Sequence, residues 1–139
     1  MKIAVVYWSS TGNTEAMAQA VVEGAKRAGA EAELFTAAEF DGGKMDEFDA
    51  VAFGCPAMGA EELEDGEFAP MFETCESKLS GKKIALFGSY GWGDGEWMRT
   101  WEENCKNDGA ELVCDSVICA DAPDDEADAA CAALGKALC

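Results

Sequence analysis

The chain reads as one α/β domain on an open, doubly wound, five-stranded parallel sheet with helices on both faces. Ile3-Ala4-Val5-Val6, Val51-Ala52-Phe53 and Ile84-Ala85-Leu86-Phe87 are nearly continuous apolar runs. Strands covered on both faces need such runs, whereas a strand with one wet face alternates. Strand-like and helix-like segments alternate along 139 residues, a length that fills one core and is too short for two. Gly29, Gly81 and Gly109 each stand between a helical segment and a strand, where a residue tolerating positive φ ends a helix well.

The elements follow in order. Residues 2–8 form the first strand, and a polar turn leads into a helix over 14–28. In that helix Ala16, Met17, Ala20, Val21, Val22 and Ala25 give one broad apolar face. A strand at 31–35 precedes a shorter helical segment within 37–48, then a strand at 49–54. A helix over 67–79 leads to the strand at 82–88, and a helix over 96–108 carries Trp97 and Trp101 on one face, as core residues do. The fifth strand, 111–119, is interrupted by Asp115-Ser116, and a helix over 124–138 follows. With no internal repeat, low-complexity tract or linker, residues 1–139 are expected to be a single domain.

Composition excludes several functions. Lys and Arg number 10 against 28 Asp and Glu, a formal charge of -18, which repels nucleic acid and anionic membranes. Protein partners should present basic patches and associate faster at low salt. No run approaches the ~18 apolar residues of a membrane span, and the run Ile3 to Trp8 is too short for a signal-peptide core. The expectation is a cytoplasmic protein. Its 7 cysteines are an odd number without a C-x-x-C pair, expected as reduced thiols packed like small hydrophobes.

In an open doubly wound sheet, ligands bind beyond the carboxyl ends of the strands, so function is sought in the loops after strands one, three and four. After strand one, Ser9-Ser10-Thr11-Gly12-Asn13-Thr14 puts hydroxyls, an amide and a glycine at a helix N-terminus, where free N–H groups and the dipole favour an anion. Ser, Thr and Asn also serve as ordinary N-caps. No Lys or Arg is present, so neither the triphosphate motif G-x-x-x-x-G-K-[ST] nor the dinucleotide motif G-x-G-x-x-G fits. A single phosphate monoester held by neutral donors does.

After strand four comes Ser89-Tyr90-Gly91-Trp92-Gly93-Asp94-Gly95, where glycines allow close backbone approach and Trp92 offers a flat stacking surface. After strand three, Cys55-Pro56-Ala57-Met58-Gly59-Ala60-Glu61 brings polarizable Met58 to a ring face and a peptide at Gly59 able to take two orientations. Glu62, Glu64 and Asp65 beyond it read as a solvated acidic stretch.

Together the phrases Tyr7 to Thr14, Ala57-Met58-Gly59 and Phe87 to Gly93 resemble the short-chain flavodoxins of anaerobic bacteria, over essentially the whole chain. The resemblance implies a flavodoxin-like strand order 2-1-3-4-5, non-covalent FMN, and a low-potential one-electron carrier, a monomer passing electrons between redox enzymes with basic docking surfaces. By matching position, Ser9, Ser10, Thr11, Gly12, Asn13, Thr14 and Ser89 would hold the phosphate. Met58 and Trp92 would flank the isoalloxazine ring, and Glu61 would bond its N3 edge. Backbone N–H groups of Gly91 to Gly93 would serve O2 and N1, and the Gly59 carbonyl would turn toward N5 on reduction. Cys55, Pro56, Ala57, Ala60, Tyr90 and Asp94 complete the expected binding loops. Ser10, Pro56 and Ala60 depart from residues common in similar proteins; Ala60 removes a negative charge near the ring, which points to altered potentials.

Such a carrier would cycle mainly between semiquinone and hydroquinone, because adding an anion to a protein of charge -18 lowers the second potential. The alternative is an FMN-dependent NAD(P)H or quinone oxidoreductase on the same fold, for which the chain has little spare length. A phosphoacceptor module would need Asp where Gly54-Cys55 stands, and no cysteine has the Arg six residues on that a small phosphatase requires. No metal site is expected.

Overall fold

Described in the computed structural model are residues 1–58, 62–91, 93 and 95–139. Among them run strands β1 (Lys2–Tyr7), β2 (Glu31–Thr36), β3 (Ala50–Gly54), β4 (Lys83–Tyr90), β5 (Glu111–Leu112) and β6 (Val117–Ala120). The helices are α1 (Asn13–Arg27), α2 (Phe68–Glu76), α3 (Glu96–Asn107) and α4 (Asp125–Ala137). The strands pair in parallel in the order β2-β1-β3-β4-β5, with β6 also on β4. This is the doubly wound sheet and the strand order expected.

The expected fifth strand is two pieces. β5 pairs with Lys83 and Ile84, and β6 with Phe87 to Tyr90. Between them Asp115 and Ser116 leave the ladder, and the Ser116 hydroxyl donates to Glu102 Oε2 at 2.8 Å. β6 gives Ser89 and Tyr90 the partners Cys119 and Ala120, so β4 runs two residues beyond its predicted end. Residues 37–48 form two 3-10 turns, Ala37–Glu39 and Gly42–Glu47. Asp41 caps the second by accepting from the Gly43 N–H at 2.9 Å, and the Lys82 ammonium donates to the carbonyls of Met45 and Phe48. Helix α2 is shorter than predicted at both ends, starting at Phe68 and stopping at Glu76.

β3 is buried at every residue and β1 at all but its first, which explains their continuous apolar runs. Alternate residues feed two cores. Ala4, Val6, Val51, Phe53, Ile84 and Leu86 face α2 and α3, where Phe72 meets Phe53 at 5.1 Å and Trp101 at 5.6 Å, both edge-on. Ile3, Val5, Ala50, Ala52, Ala85 and Phe87 face Met17, Ala18, Val21 and Ala25 of α1 and Cys131 and Leu134 of α4. Helices α1 and α4 touch through bare backbone: a Cβ on Gly24 would collide with the Ala132 carbonyl, and one on Gly135 with that of Val21. Trp97 and Trp101 are both core residues, 2% exposed. All 7 cysteines are free, and Cys55, Cys75, Cys105 and Cys131 are buried. Among the described residues, no helix is long and apolar enough to cross a membrane.

Candidate functional site

β1 ends buried and releases the chain into the loop from Trp8 to Gly12, whose start is held by the Trp8 N–H on the Gly54 carbonyl at 3.0 Å. Gly12 takes φ 94, a left-handed conformation that costs glycine little, and its N–H donates to Ser9 Oγ at 3.1 Å. Gly12 is the N-cap of α1 and has no side chain with which to cap it, so among the described residues no cap side chain takes the leading N–H groups of the helix, groups that suit an external anion. Thr14 is 1% exposed, and its hydroxyl lies 3.1 Å from that of Ser89 on β4. The first and third loops therefore meet through a buried pair of hydroxyls.

The loop after β3 begins beneath this surface. Cys55 is fully buried, its N–H donates to the Phe87 carbonyl at 3.1 Å, and its own carbonyl accepts from Trp97 Nε1 at 3.1 Å. Burial pushes the Cys55 thiol up to about 12, so it stays a neutral thiol. Further out, the Ala57 N–H donates to the Ser89 carbonyl at 3.0 Å, and Met58 and Glu62 exchange two backbone hydrogen bonds of 2.9 Å.

A cavity of about 180 Å³ is lined by Ser10, Thr11, Asn13, Pro56, Ala57, Met58, Ser89, Tyr90, Gly91 and Asp121. All three sequence-predicted loops converge on it. Ser9 and Gly12 line an adjoining cavity of about 330 Å³ on the other side of the first loop, with Tyr7, Trp8, Glu15 and Glu67. There the Tyr7 hydroxyl donates to Glu15 at 3.0 Å and the Trp8 indole to Glu67 at 3.1 Å. Burial, and then the Glu15 carboxylate beside it, raises the Tyr7 phenol above its ordinary value. Gly93 adopts φ 87 in the third loop. Gly59, Ala60, Glu61, Trp92 and Asp94 lie outside the described residues.

Two residues escaped the sequence reading. Asp121 enters the cavity from the end of β6, with φ 58 and its N–H on the Tyr90 carbonyl at 2.8 Å. Its signal was an aspartate, a type that tolerates left-handed backbone, directly after a strand. Glu64, expected as part of a solvated stretch, is instead 8% exposed. Its carboxylate accepts from the N–H groups of Gly66, Glu67 and Phe68 at 2.7 to 2.8 Å, the donors that a helix start leaves open. Burial pushes this carboxyl up, but the N–H groups of Phe68, Glu67 and Gly66 together outweigh it and hold Glu64 below the ordinary value.

The donor set fits a phosphate monoester. The 180 Å³ cavity is lined by the hydroxyl residues Ser10, Thr11 and Ser89, by Asn13, and by apolar Pro56, Ala57 and Met58; Asp121 is the one charged side chain among its described lining residues, and none of them is cationic. Fold and site define an α/β protein whose ligand crevice lies past the ends of parallel strands, where the first loop offers an anion uncapped N–H groups and neutral hydroxyls.

The flavodoxin family model matches residues 5–134. The chain is 43% identical over 138 residues to the flavodoxin of Megasphaera elsdenii, covering 97% of this chain and 96% of that one. It is 42% identical over 134 residues to that of Clostridium beijerinckii, covering 96% of each. The solution structure of two-electron reduced Megasphaera elsdenii flavodoxin superimposes with a TM-score of 0.90 over 98% of this chain and 97% of that one, at 43% identity. A flavodoxin from the domain Archaea gives 0.86 at 28% identity, over 99% and 96% of the two chains. The chain belongs to the flavodoxin family. Flavodoxins bind FMN and are electron-transfer proteins rather than enzymes, so the oxidoreductase alternative falls away.

Proposed function

We propose that this chain is a low-potential one-electron carrier that holds FMN without a covalent bond, works mainly at the step from semiquinone to hydroquinone, and delivers electrons to redox enzymes with basic docking surfaces. One observation carries the reading: a loop of neutral donors, Ser10, Thr11 and Asn13, lines one cavity with apolar Pro56, Ala57 and Met58 in a chain of charge -18. FMN would supply the redox chemistry, and the protein sets its terms. Ser9, Ser10, Thr11, Asn13, Thr14 and Ser89, with the backbone at Gly12, would hold the phosphate without cancelling its charge.

Met58 and Trp92 would keep water from the two ring faces, and the Gly59 carbonyl would accept a hydrogen bond from N5 once that atom carries hydrogen. Glu61 would bond the N3 edge, the N–H groups of Gly91 to Gly93 the O2 and N1 edge, and Pro56, Ala57, Ala60, Tyr90 and Asp94 would close the walls. The uncancelled phosphate and the acidic chain oppose further negative charge, which favours a low second potential. The free thiols support a reducing cytoplasm as its compartment, and the charge opposes self-association, so a monomer over residues 1–139 is the form proposed.

Stepwise anaerobic reduction with dithionite tests the reading. The purified protein should be yellow, and a long-wavelength blue band should rise and then fall as electrons are added. Loss of the yellow band with no blue stage, or rapid reduction by NAD(P)H alone, would overturn it.

A further inference from the structure

Among the described carboxylates of the acidic stretch after Met58, Glu64 turns away from water. Glu64 is 8% exposed, and its side chain takes three N–H groups at the start of α2 at 2.7 to 2.8 Å. The N-cap residue Glu67 makes no side-chain cap of its own, so Glu64 does that work from three residues upstream. Its own N–H donates to the buried Cys55 Sγ at 3.3 Å. Cys55 and Glu64 thus close the base of the loop, and the Met58–Glu62 pair forms a rung above it. The phosphate loop is held by separate bonds, Gly12 to Ser9 and Thr14 to Ser89.

We propose that Glu64 is a positioning residue for the flavin ring: by tying the start of α2 to the base of the loop, it fixes Met58 against the ring without acting on the phosphate cradle. The inference rests on the reading that Met58 flanks the ring. A charged acceptor binds N–H groups about twice as strongly as a neutral one. Neutralising Glu64 therefore loosens the base while the cradle keeps its bonds. The two halves of the cofactor should respond differently.

Riboflavin and inorganic phosphate separate those halves when each is titrated into the flavin-free full-length chain. Glu64→Gln should raise the riboflavin dissociation constant about tenfold and leave that of phosphate within about twofold. Riboflavin is neutral, so lost charge repulsion cannot mimic the effect. Asp65→Asn, which removes the same charge from an exposed side chain of the same stretch, should change neither, and Glu64→Asp should recover part of the loss. Should Glu64→Gln not fold, Cys55→Ala removes the acceptor on the other side of the base and should give the same split, about threefold for riboflavin. An unchanged riboflavin affinity, or an equal weakening of riboflavin and phosphate, would overturn the proposal. A wild-type chain that binds phosphate but no riboflavin would instead overturn the ring site itself.

Discussion

Thr14 and Ser89 lie 75 positions apart in the chain, yet their hydroxyl oxygens approach to 3.1 Å in a buried contact. It joins the first turn of α1 to the last residues of β4. One hydroxyl donates and the other accepts, and the Ser89 carbonyl is already bonded to Ala57, so Ser89 connects all three loops.

Thr14→Val keeps the shape but leaves the Ser89 hydroxyl buried without its partner, a loss of about 1 to 3 kcal/mol. The dissociation constant of FMN should rise about tenfold or more while that of riboflavin, which lacks the phosphate, stays unchanged. Fluorescence titration with the two flavins reads the difference; equal weakening of both would mean that the pair supports the fold and not the phosphate.

The α1–α4 contact has no room for a methyl group. Gly24→Ala and Gly135→Ala should each destabilise the protein by about 3 kcal/mol, the upper end for overpacking, because backbone carbonyls and not flexible side chains stand in the way. Urea unfolding monitored by circular dichroism measures this. A change under about 0.5 kcal/mol would mean that the helices separate freely.

Acidity should act through Glu76 and Asp108, at the ends of α2 and α3. Burial first, then a hydrogen bond with Asp108 and the charges of Asp108 and Glu73, push Glu76 up to about 7. A carboxyl that holds its proton more tightly folded than unfolded costs nothing below its ordinary value of 4.5, and its cost grows as pH rises toward 7. Glu64 has the opposite sign: its lowered value stabilises the fold above 4.5, and that contribution disappears as pH falls through it. Urea midpoints at about pH 5 and pH 8 should fall more in the wild type than in Asp108→Asn, by removal of the neighbouring carboxylate. Parallel curves would assign the pH dependence to the net charge alone.

Charge should also govern encounter. With 28 acidic against 10 basic residues, association with a basic c-type cytochrome as probe should slow by about tenfold or more between low and ~0.5 M salt. Stopped-flow mixing of the reduced protein measures it, and a rate indifferent to salt would leave docking to apolar contact.

Sheet and loops were legible because their signals are local. Continuous apolar runs marked β1, β3 and β4, and Gly29, Gly81 and Gly109 do adopt φ 93, 74 and 86. The cradle was legible as a hydroxyl-rich run at a helix start. What stayed hidden depends on contacts distant in sequence. The second of the turns over 37–48 is tied down by Lys82, whose ammonium donates to the Met45 and Phe48 carbonyls, 37 and 34 residues away. Glu64 sits among acidic neighbours with the same composition, and only the start of α2 distinguishes it. Asp121 reaches the cavity because β6 pairs along the end of β4, a register no single segment encodes.

The break in the fifth strand has a consequence for how such a chain can lengthen. β5 and β6 are each anchored on β4 by their own rungs, Val113 still donates to the Ile84 carbonyl at 3.1 Å, and only residues 114–116 hold neither register. Loop closure grows only slowly more costly with length. Extra residues inserted there would bulge outward from the sheet margin and leave both anchored halves in place. The gap is thus a seam at which a longer protein could be grown from this one, with its ligand crevice intact.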